Sequence, residues 1–386
     1  MARPRRASRL QLGGRREHRR RWPKRVAITT AGIAVALVLL AAGATGYAWY
    51  RYGQLRRIRV AGLVPRRGNR PFDVLLVAQG TPAGHRGALG PRLGGQAPAV
   101  AADGFVVARV APATHQVLLL SIPPTTLLQV PDGRAGVSGP NVLEATLGAG
   151  PSLLVETIER ELHLPITYYV GFDLQGLKGL VDSLGGVRLD FADPVRDPSS
   201  GLEVDRTGCR LLDGAEALAL YRSDYLYYFA HGRWGYATLS GASRLGLQAT
   251  LLEATASRLQ GAVSDPIALY SFLAVAAHEI SVDDSLSATR LVGLALMLRD
   301  LRWIERAQVL PTAPGVVRGR EVAVLADGPD RRVISRFLEL GAAGRGAPPR
   351  PGVVPRTTVP GSPAISPRAL SRQSSSEPWG PAPCKA

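Results

Sequence analysis

Leu162-His163-Leu164-Pro165-Ile166, Leu180-Val181-Asp182-Ser183-Leu184-Gly185-Gly186-Val187 and Leu211-Leu212-Asp213-Gly214-Ala215-Glu216-Ala217-Leu218-Ala219-Leu220-Tyr221-Arg222 follow one another in a single stretch, and their order decides the fold. Residues 168–172 (Tyr-Tyr-Val-Gly-Phe) between the first two read as a strand. An apolar helix then runs into a Gly-Gly turn, a strand follows, and a second short helix ends on an arginine. Gly185-Gly186 suits a helix end, where positive φ is needed and glycine has no Cβ to clash. Asp213-Gly214 suits a turn that opens the next helix. The stretch is therefore a buried α/β unit that presents Arg222 at its edge. Polar and aromatic residues flank Arg222, so it faces a cleft or solvent.

Outward from this unit, strands alternate with helices. Residues 72–77 (Phe-Asp-Val-Leu-Leu-Val) form an apolar run expected of a strand buried on both faces. Residues 104–110 and 116–122 read as two strands joined by Ala111-Pro112-Ala113-Thr114, and 187–191, 308–311 and 322–325 as further strands. Helices are expected over 141–147, 151–162, 173–184, 239–259, 266–277, 287–298 and 331–340. Residues 80–99, rich in Gly, Pro and Ala, read as a loop. So does 223–241, whose Tyr225, Tyr227, Tyr228, Phe229, Trp234 and Tyr236 are expected to pack on the core, with the wall of a lipid groove as the functional alternative. The alternation implies an α/β protein, an αβα sandwich with a mixed central sheet.

The formal charge of +17 first suggests nucleic acid or an anionic membrane. Its distribution argues against nucleic acid. Residues 1–25 hold eleven arginines or lysines and one acid, 51–70 hold seven arginines, and 342–386 hold six basic residues and one acid, which leaves 71–341 net acidic. A nucleic-acid-binding fold concentrates its basic charge on the folded domain. Residues 26–47 carry no charge, and such a run of about 22 residues spans a ~30 Å hydrocarbon core. Tyr47, Trp49, Tyr50 and Tyr52 follow as an aromatic belt. A cleaved signal peptide has a shorter apolar region, so an uncleaved anchor is the preferred reading. The denser basic cluster precedes the span, which places the N-terminus in the cytoplasm and the rest outside the plasma membrane. The expected organisation is a basic cytoplasmic segment (1–25), a transmembrane helix (26–48), a basic stem (49–70), a folded domain (71–341) and a disordered Pro/Ser/Arg-rich tail (342–386). The stem either rests on lipid headgroups or is a solvated linker. With only Cys209 and Cys384 the chain has no disulfide scaffold. Their pairing stays open, and the favoured reading of Cys209 is a small residue in a turn.

No zinc-type Cys/His spacing, Gly-x-Ser-x-Gly elbow or Walker loop occurs, so zinc, serine-hydrolase and nucleotide-hydrolase chemistry lack support. What remains is phosphate handling. It needs arginines around phosphate oxygens and a carboxylate to hold a divalent cation.

The Leu-Val-Asp-x-Leu-Gly-Gly-Val turn at 180–187 and the Leu-Asp-Gly-x-x-Ala-Leu-x-x-x-Arg phrase at 212–222 resemble the LytR-CpsA-Psr family. Its members are membrane-anchored phosphotransferases of bacterial cell-wall assembly. The resemblance runs from about Phe72 to about Leu340. It implies transfer of a glycan phosphate from a polyprenyl-pyrophosphate carrier to peptidoglycan, with the lipid tail in an apolar groove. The family's charged positions are matched only in part. After the first strand the family carries Asp and Arg, and Gly80 stands at the Asp position. The Asp opening the next strand is Asp103. After Ser121-Ile122-Pro123 the family carries Arg-Asp, and this chain has Pro124-Thr125. The arginine after the Ala-Leu helix is Arg222, but Asp224 and Tyr225 replace the Arg and His that follow. Of an Arg/Gln-rich helix start Arg244 remains, with Gly241 at the other position.

The resemblance thus implies Asp103 and Arg222 as catalytic, Arg222 and Arg244 as phosphate-binding with Arg233 as a substitute, and Asp103 as a ligand of Mg²⁺. Each has a plainer role: Asp103 capping a strand or turn, Arg222 paired with Asp224 or Glu216, Arg244 on a solvated helix face. The missing charges motivate a rival, a non-catalytic extracytoplasmic binding protein for a lipid-linked glycan or wall component. A DNA-binding regulator is disfavoured by the acidic domain and the span.

Overall fold

A computed structural model describes residues 46–47, 50–80, 101–134, 137–239, 241–299, 303–326, 328–340 and 381–384. Tyr50–Ala386 form one compact unit. Its elements run β1 (Arg56–Ile58), β2 (Phe72–Gly80), β3 (Ala101–Ala111), β4 (Gln116–Ile122), β5 (Leu127–Arg134), β6 (Val137–Val142), α1 (Leu143–Gly148), α2 (Pro151–Leu162), β7 (Ile166–Asp173), α3 (Leu174–Ser183) and β8 (Val187–Phe191). There follow β9 (Val195–Asp197), β10 (Leu202–Val204), β11 (Gly208–Leu212), α4 (Gly214–Tyr221), β12 (Tyr225–Ala230), β13 (Arg233–Thr238), α5 (Gly241–Ala262) and α6 (Pro266–Glu279). The last are β14 (Ile280–Asp283), α7 (Ala288–Arg299), β15 (Trp303–Val309), β16 (Thr312–Val317), β17 (Arg320–Leu325), α8 (Pro329–Glu339) and β18 (Ala382–Pro383).

Seven strands form the central sheet in the order β1-β14-β7-β2-β3-β4-β15. The sheet is mixed: β2 pairs parallel with β7 and antiparallel with β3, and β15 joins β4 in parallel. Alternation along the strands sends side chains to opposite faces. Leu75, Val77, Phe105, Val107, Leu118 and Leu120 pack with Leu154, Ile158 and Phe337 of α2 and α8. Val74, Leu76, Val106 and Leu119 face the other way, with Leu252 of α5. Helices thus cover both faces, as the sequence implied. Between β2 and β3, Asp73 and Arg109 are directly opposite and form a buried ion pair (2.8 Å).

The strand, the helix with its Gly-Gly turn, and the helix that ends at Arg222 fold as read. Gly185 and Gly186 end α3 with φ of 72° and 88°. A Cβ on Gly186 would stand 2.7 Å from Leu212 O, so the close approach of β11 also needs glycine there.

Three readings are corrected. Residues 223–241 are not a loop but the hairpin β12–β13, with Tyr225 opposite Thr238 and Ala230 opposite Arg233. Leu226 turns inward, while Tyr225, Phe229, Trp234 and Tyr236 are exposed rather than packed on the core. His231 and Gly232, both at positive φ, make the turn. Cys209 lies in β11, not in a turn, and is bonded to Cys384 (Cα–Cα 5.7 Å). There β18 adds to β8, Ala382 opposite Asp190. Asn141 and Val142, expected as helix, close β6, and α1 starts at Leu143.

The expected loop 80–99 beyond Gly80, nearly all of the transmembrane segment and most of the tail lie outside the described residues. Among the described residues no helix is long and apolar enough to cross a membrane.

Candidate functional site

Helix α4 delivers the site, and its own sequence fixes both ends. Asp213 Oδ1 accepts from the N–H groups of Ala215 (2.8 Å) and Glu216 (2.9 Å), while Glu216 Oε2 accepts from Asp213 N (2.9 Å). This reciprocal cap satisfies donors that a helix start leaves open. Gly214 lets α4 press on α3, since a Cβ there would sit 2.2 Å from Lys178 O. The helix closes at Arg222, whose N–H bonds to Leu218 O (3.0 Å).

Arg222 is exposed, and among the described residues its guanidinium makes no hydrogen bond or ion pair. Neither plain partner holds it: Glu216 is spent on the cap, and Asp224 pairs with Arg244 of α5. The turn after Arg222 is pinned by Asp197, fully buried, which accepts from the N–H groups of Ser199 (2.8 Å), Asp224 (3.1 Å) and Tyr225 (3.3 Å). Sequence reading missed Asp197, because Asp224 and Tyr225, the partners that tie it to the turn after Arg222, lie 27 and 28 residues further on.

Tyr221, the residue before Arg222, is buried at the polar end of an apolar cleft. The cleft lies between the sheet and α5, lined by Leu76, Ala78, Val106, Phe172, Leu251 and Leu252 among others, and its empty space counted out to solvent is about 480 Å³. Gly104 completes the polar end: a Cβ there would stand 3.1 Å from the Tyr221 hydroxyl and 3.6 Å from Gln248 Oε1. Gln248 Nε2 in turn donates to Tyr221 O (3.3 Å). Ser121, buried in the cleft wall, has a hydroxyl without a hydrogen-bond partner among the described residues.

Asp103 sits beside Gly104 at the start of β3 and is buried. Burial keeps the Tyr221 phenol protonated far above its usual range. Asp103 adds to that shift and Arg244 opposes it. Asp103, Tyr221 and Arg244 therefore share one electrostatic neighbourhood, and Arg222 adjoins it in the chain. Arg233 does not join them. It is exposed at the tip of the β12–β13 hairpin, five strand residues or about 17 Å from the hairpin base.

Asp103 has a second neighbour that sequence reading missed. Burial pushes the Glu144 carboxyl up to about 7, Arg320 opposes the shift, and Asp103 reinforces it. No group of three or more metal-ligating side chains occurs among the described residues. The site thus offers a narrow apolar cleft, buried carboxylates at one end, and arginines around them.

Comparison with known proteins bears on this arrangement. A sequence model described as the LytR_cpsA_psr family matches residues 81–235. "Probable cell wall biosynthesis protein LcpB" of Corynebacterium glutamicum is 36% identical over 118 residues, 28% of this chain and 28% of that protein. "Polyisoprenyl-teichoic acid--peptidoglycan teichoic acid transferase TagV" of Bacillus subtilis is 32% identical over 124 residues, 31% of this chain and 32% of the relative. The match thus spans about a third or less of these curated relatives. A solved "LytR-Csp2A-Psr enzyme from Actinomyces oris" superposes with a TM-score of 0.56 at 23% identity, covering 73% of this chain and 95% of that one. This likeness reaches well beyond the matched sequence, but it speaks for the fold alone. The stretch 81–235, which holds the motifs at 180–187 and 212–222, thus matches the LytR_cpsA_psr family, and the mixed α/β fold around it is shared with a solved LytR-Csp2A-Psr enzyme.

Proposed function

We propose that this chain transfers a glycan phosphate from a polyprenyl-pyrophosphate carrier to peptidoglycan, at the outer face of the plasma membrane. The observation that carries the reading is the cleft: apolar walls with Tyr221 and Gln248 among its lining, and Asp103 and Arg244 close enough to act on the Tyr221 hydroxyl. An amphiphile with an apolar tail and an anionic head matches that polarity. Relatives named as transferases of polyisoprenyl-linked teichoic acid to peptidoglycan point the same way. The apolar lining of the cleft suits the isoprene units nearest the phosphate.

In this reading the tail lies along Leu76, Val106 and Leu252. Arg222 and Arg244 hold phosphate oxygens with their planar donors, which lysine would not reproduce. The acceptor hydroxyl attacks the phosphorus next to the sugar. A P–O bond to the acceptor forms, the bond to the bridging oxygen breaks, and polyprenyl phosphate leaves with the electron pair and takes up the proton that the hydroxyl loses. Mg²⁺ commonly takes one or two carboxylates plus phosphate oxygens, so Asp103 with the substrate's own oxygens fits it. The ion would neutralise charge on the phosphates.

Gly80, Pro124 and Thr125 lack charge and Arg244 is engaged by Asp224, which favours one second reading: a protein that binds the lipid-linked glycan without transferring it. One assay separates the two. Transfer from a synthetic short-chain polyprenyl-pyrophosphate glycan to peptidoglycan is measured for wild type, Arg222→Lys and Asp103→Asn. Each change should cost a factor of roughly 10 to 150, the worth of one charge-assisted contact. Undiminished transfer by both variants rejects the site, and lipid binding without transfer by wild type selects the binding protein.

A further inference from the structure

Pro124 and Thr125 stand where the resemblance led to an arginine and an aspartate, and two elements close on that corner. On one side lies the hairpin β16–β17: Ala323 N donates to Thr125 O (3.0 Å), and Thr126 forms a parallel bridge to Ala323. On the other side α1 begins: Glu144 N donates to Pro124 O (2.9 Å). The corner that lost its charges is thus flanked by a glutamate and by a strand whose first residue is Arg320. Arg318-Gly319 at φ of 52° and 76° makes the tight turn that starts this strand, and Arg320 lies opposite Val317.

Arg320 is half-buried, and Glu144 is only 7% exposed. The Glu144 side chain accepts no hydrogen bond among the described residues, although a buried carboxylate normally collects several. Arg320 and Asp103 both act on this carboxyl, Arg320 opposing its shift and Asp103 reinforcing it. A partly buried cation needs an acid to offset its desolvation when no ligand is present, and Glu144 is placed to contribute.

We propose that Arg320 is a phosphate-binding residue of the cleft and brings to Asp103 the fixed positive charge that Pro124 does not. The proposal rests on the pyrophosphate-lipid reading above. Arg244 acts on the Tyr221 side of Asp103 and Arg320 on the Glu144 side, so a pyrophosphate at the cleft's polar end meets arginines from α5 and from β17. A guanidinium suits this role because it can grip two oxygens at once.

The test is binding to the full chain in detergent, by titration calorimetry, of geranylgeranyl pyrophosphate and of geranylgeraniol. The proteins are wild type, Arg320→Gln, Arg320→Lys and, as a neighbour on the exposed turn, Arg318→Gln. Arg320→Gln should weaken pyrophosphate binding about ten-fold or more and leave the alcohol unchanged. Arg320→Lys should fall between, and Arg318→Gln should match wild type. Unchanged pyrophosphate affinity in Arg320→Gln overturns the role of Arg320 while the lipid reading stands. Equal loss of the alcohol assigns Arg320 to structure and overturns it as well. A wild type that does not prefer pyrophosphate to alcohol removes both. If Arg320→Gln does not fold, Arg320→Lys decides, with wild-type affinity counting against the proposal.

Discussion

Removing the carboxylate of Asp224 should improve binding of a pyrophosphate lipid. In the proposed function Arg244 is the phosphate ligand of α5, yet in this structure its guanidinium is held by Asp224. A ligand that recruits Arg244 must first break this pair. The side chains are 26% and 50% exposed, so solvent screens the pair, and it is worth at most about 1 kcal/mol. Asp224→Asn should therefore tighten geranylgeranyl pyrophosphate by a factor of up to about five. Stability should hardly change, because the structural bonds at this position are made by the backbone: Asp224 N to Asp197 Oδ2 (3.1 Å) and Leu239 N to Asp224 O (2.9 Å). Titration calorimetry at two salt concentrations is the assay. The gain should shrink at high salt, where partly exposed charges are screened. Weaker binding by Asp224→Asn would refute the reasoning, since Asp224 would then orient Arg244 for the ligand rather than compete with it. Equal tightening of geranylgeraniol would refute it too, because the effect would not involve phosphate.

Three further outcomes are expected. Gly214→Ala should destabilise by about 1–3 kcal/mol in thermal melting, since its Cβ would sit 2.2 Å from Lys178 O and 2.8 Å from the Asp182 carboxyl. Asp73→Ala should cost about 3–5 kcal/mol in urea unfolding, because it strands the buried Arg109 guanidinium. Cys384→Ser opens a loop with a sequence separation of 175 and should lower stability by about 5 kcal/mol at most on the chain-entropy account. An unchanged denaturation midpoint in oxidising and reducing buffer would contradict that last expectation.

The fold was legible wherever local chemistry and burial agreed. Gly185-Gly186 reads as a turn and Asp213-Gly214 as a helix start, because both read from neighbours within a few residues. The β12–β13 hairpin was missed for a different reason. Its inner positions Leu226 and Tyr228 alternate with Tyr225, Tyr227 and Phe229, so both faces are apolar and the period of two vanishes from the hydropathy pattern. His231-Gly232 between two aromatic runs was the usable signal. The Cys209–Cys384 bond had none, since proximity across a separation of 175 depends on the finished fold.

The site shows the same limit at the level of charge. Position-by-position comparison finds Asp103, Arg222 and Arg244 and counts the rest as losses. It cannot see that a corner missing its arginine is reached by β17, nearly two hundred residues further on. A phosphate site needs positive charge at a place in space, and no particular stretch of chain has to supply it. Arg233, chosen because it lies close in sequence to Arg222, ends at a hairpin tip, whereas Arg320, distant in sequence, acts on Glu144 as Asp103 does. A chain that keeps the cleft and the Asp103–Tyr221–Arg244 neighbourhood is therefore not shown to be inert by its missing motif residues. What decides the matter is whether the arginines that the fold does bring to Asp103 can hold a pyrophosphate.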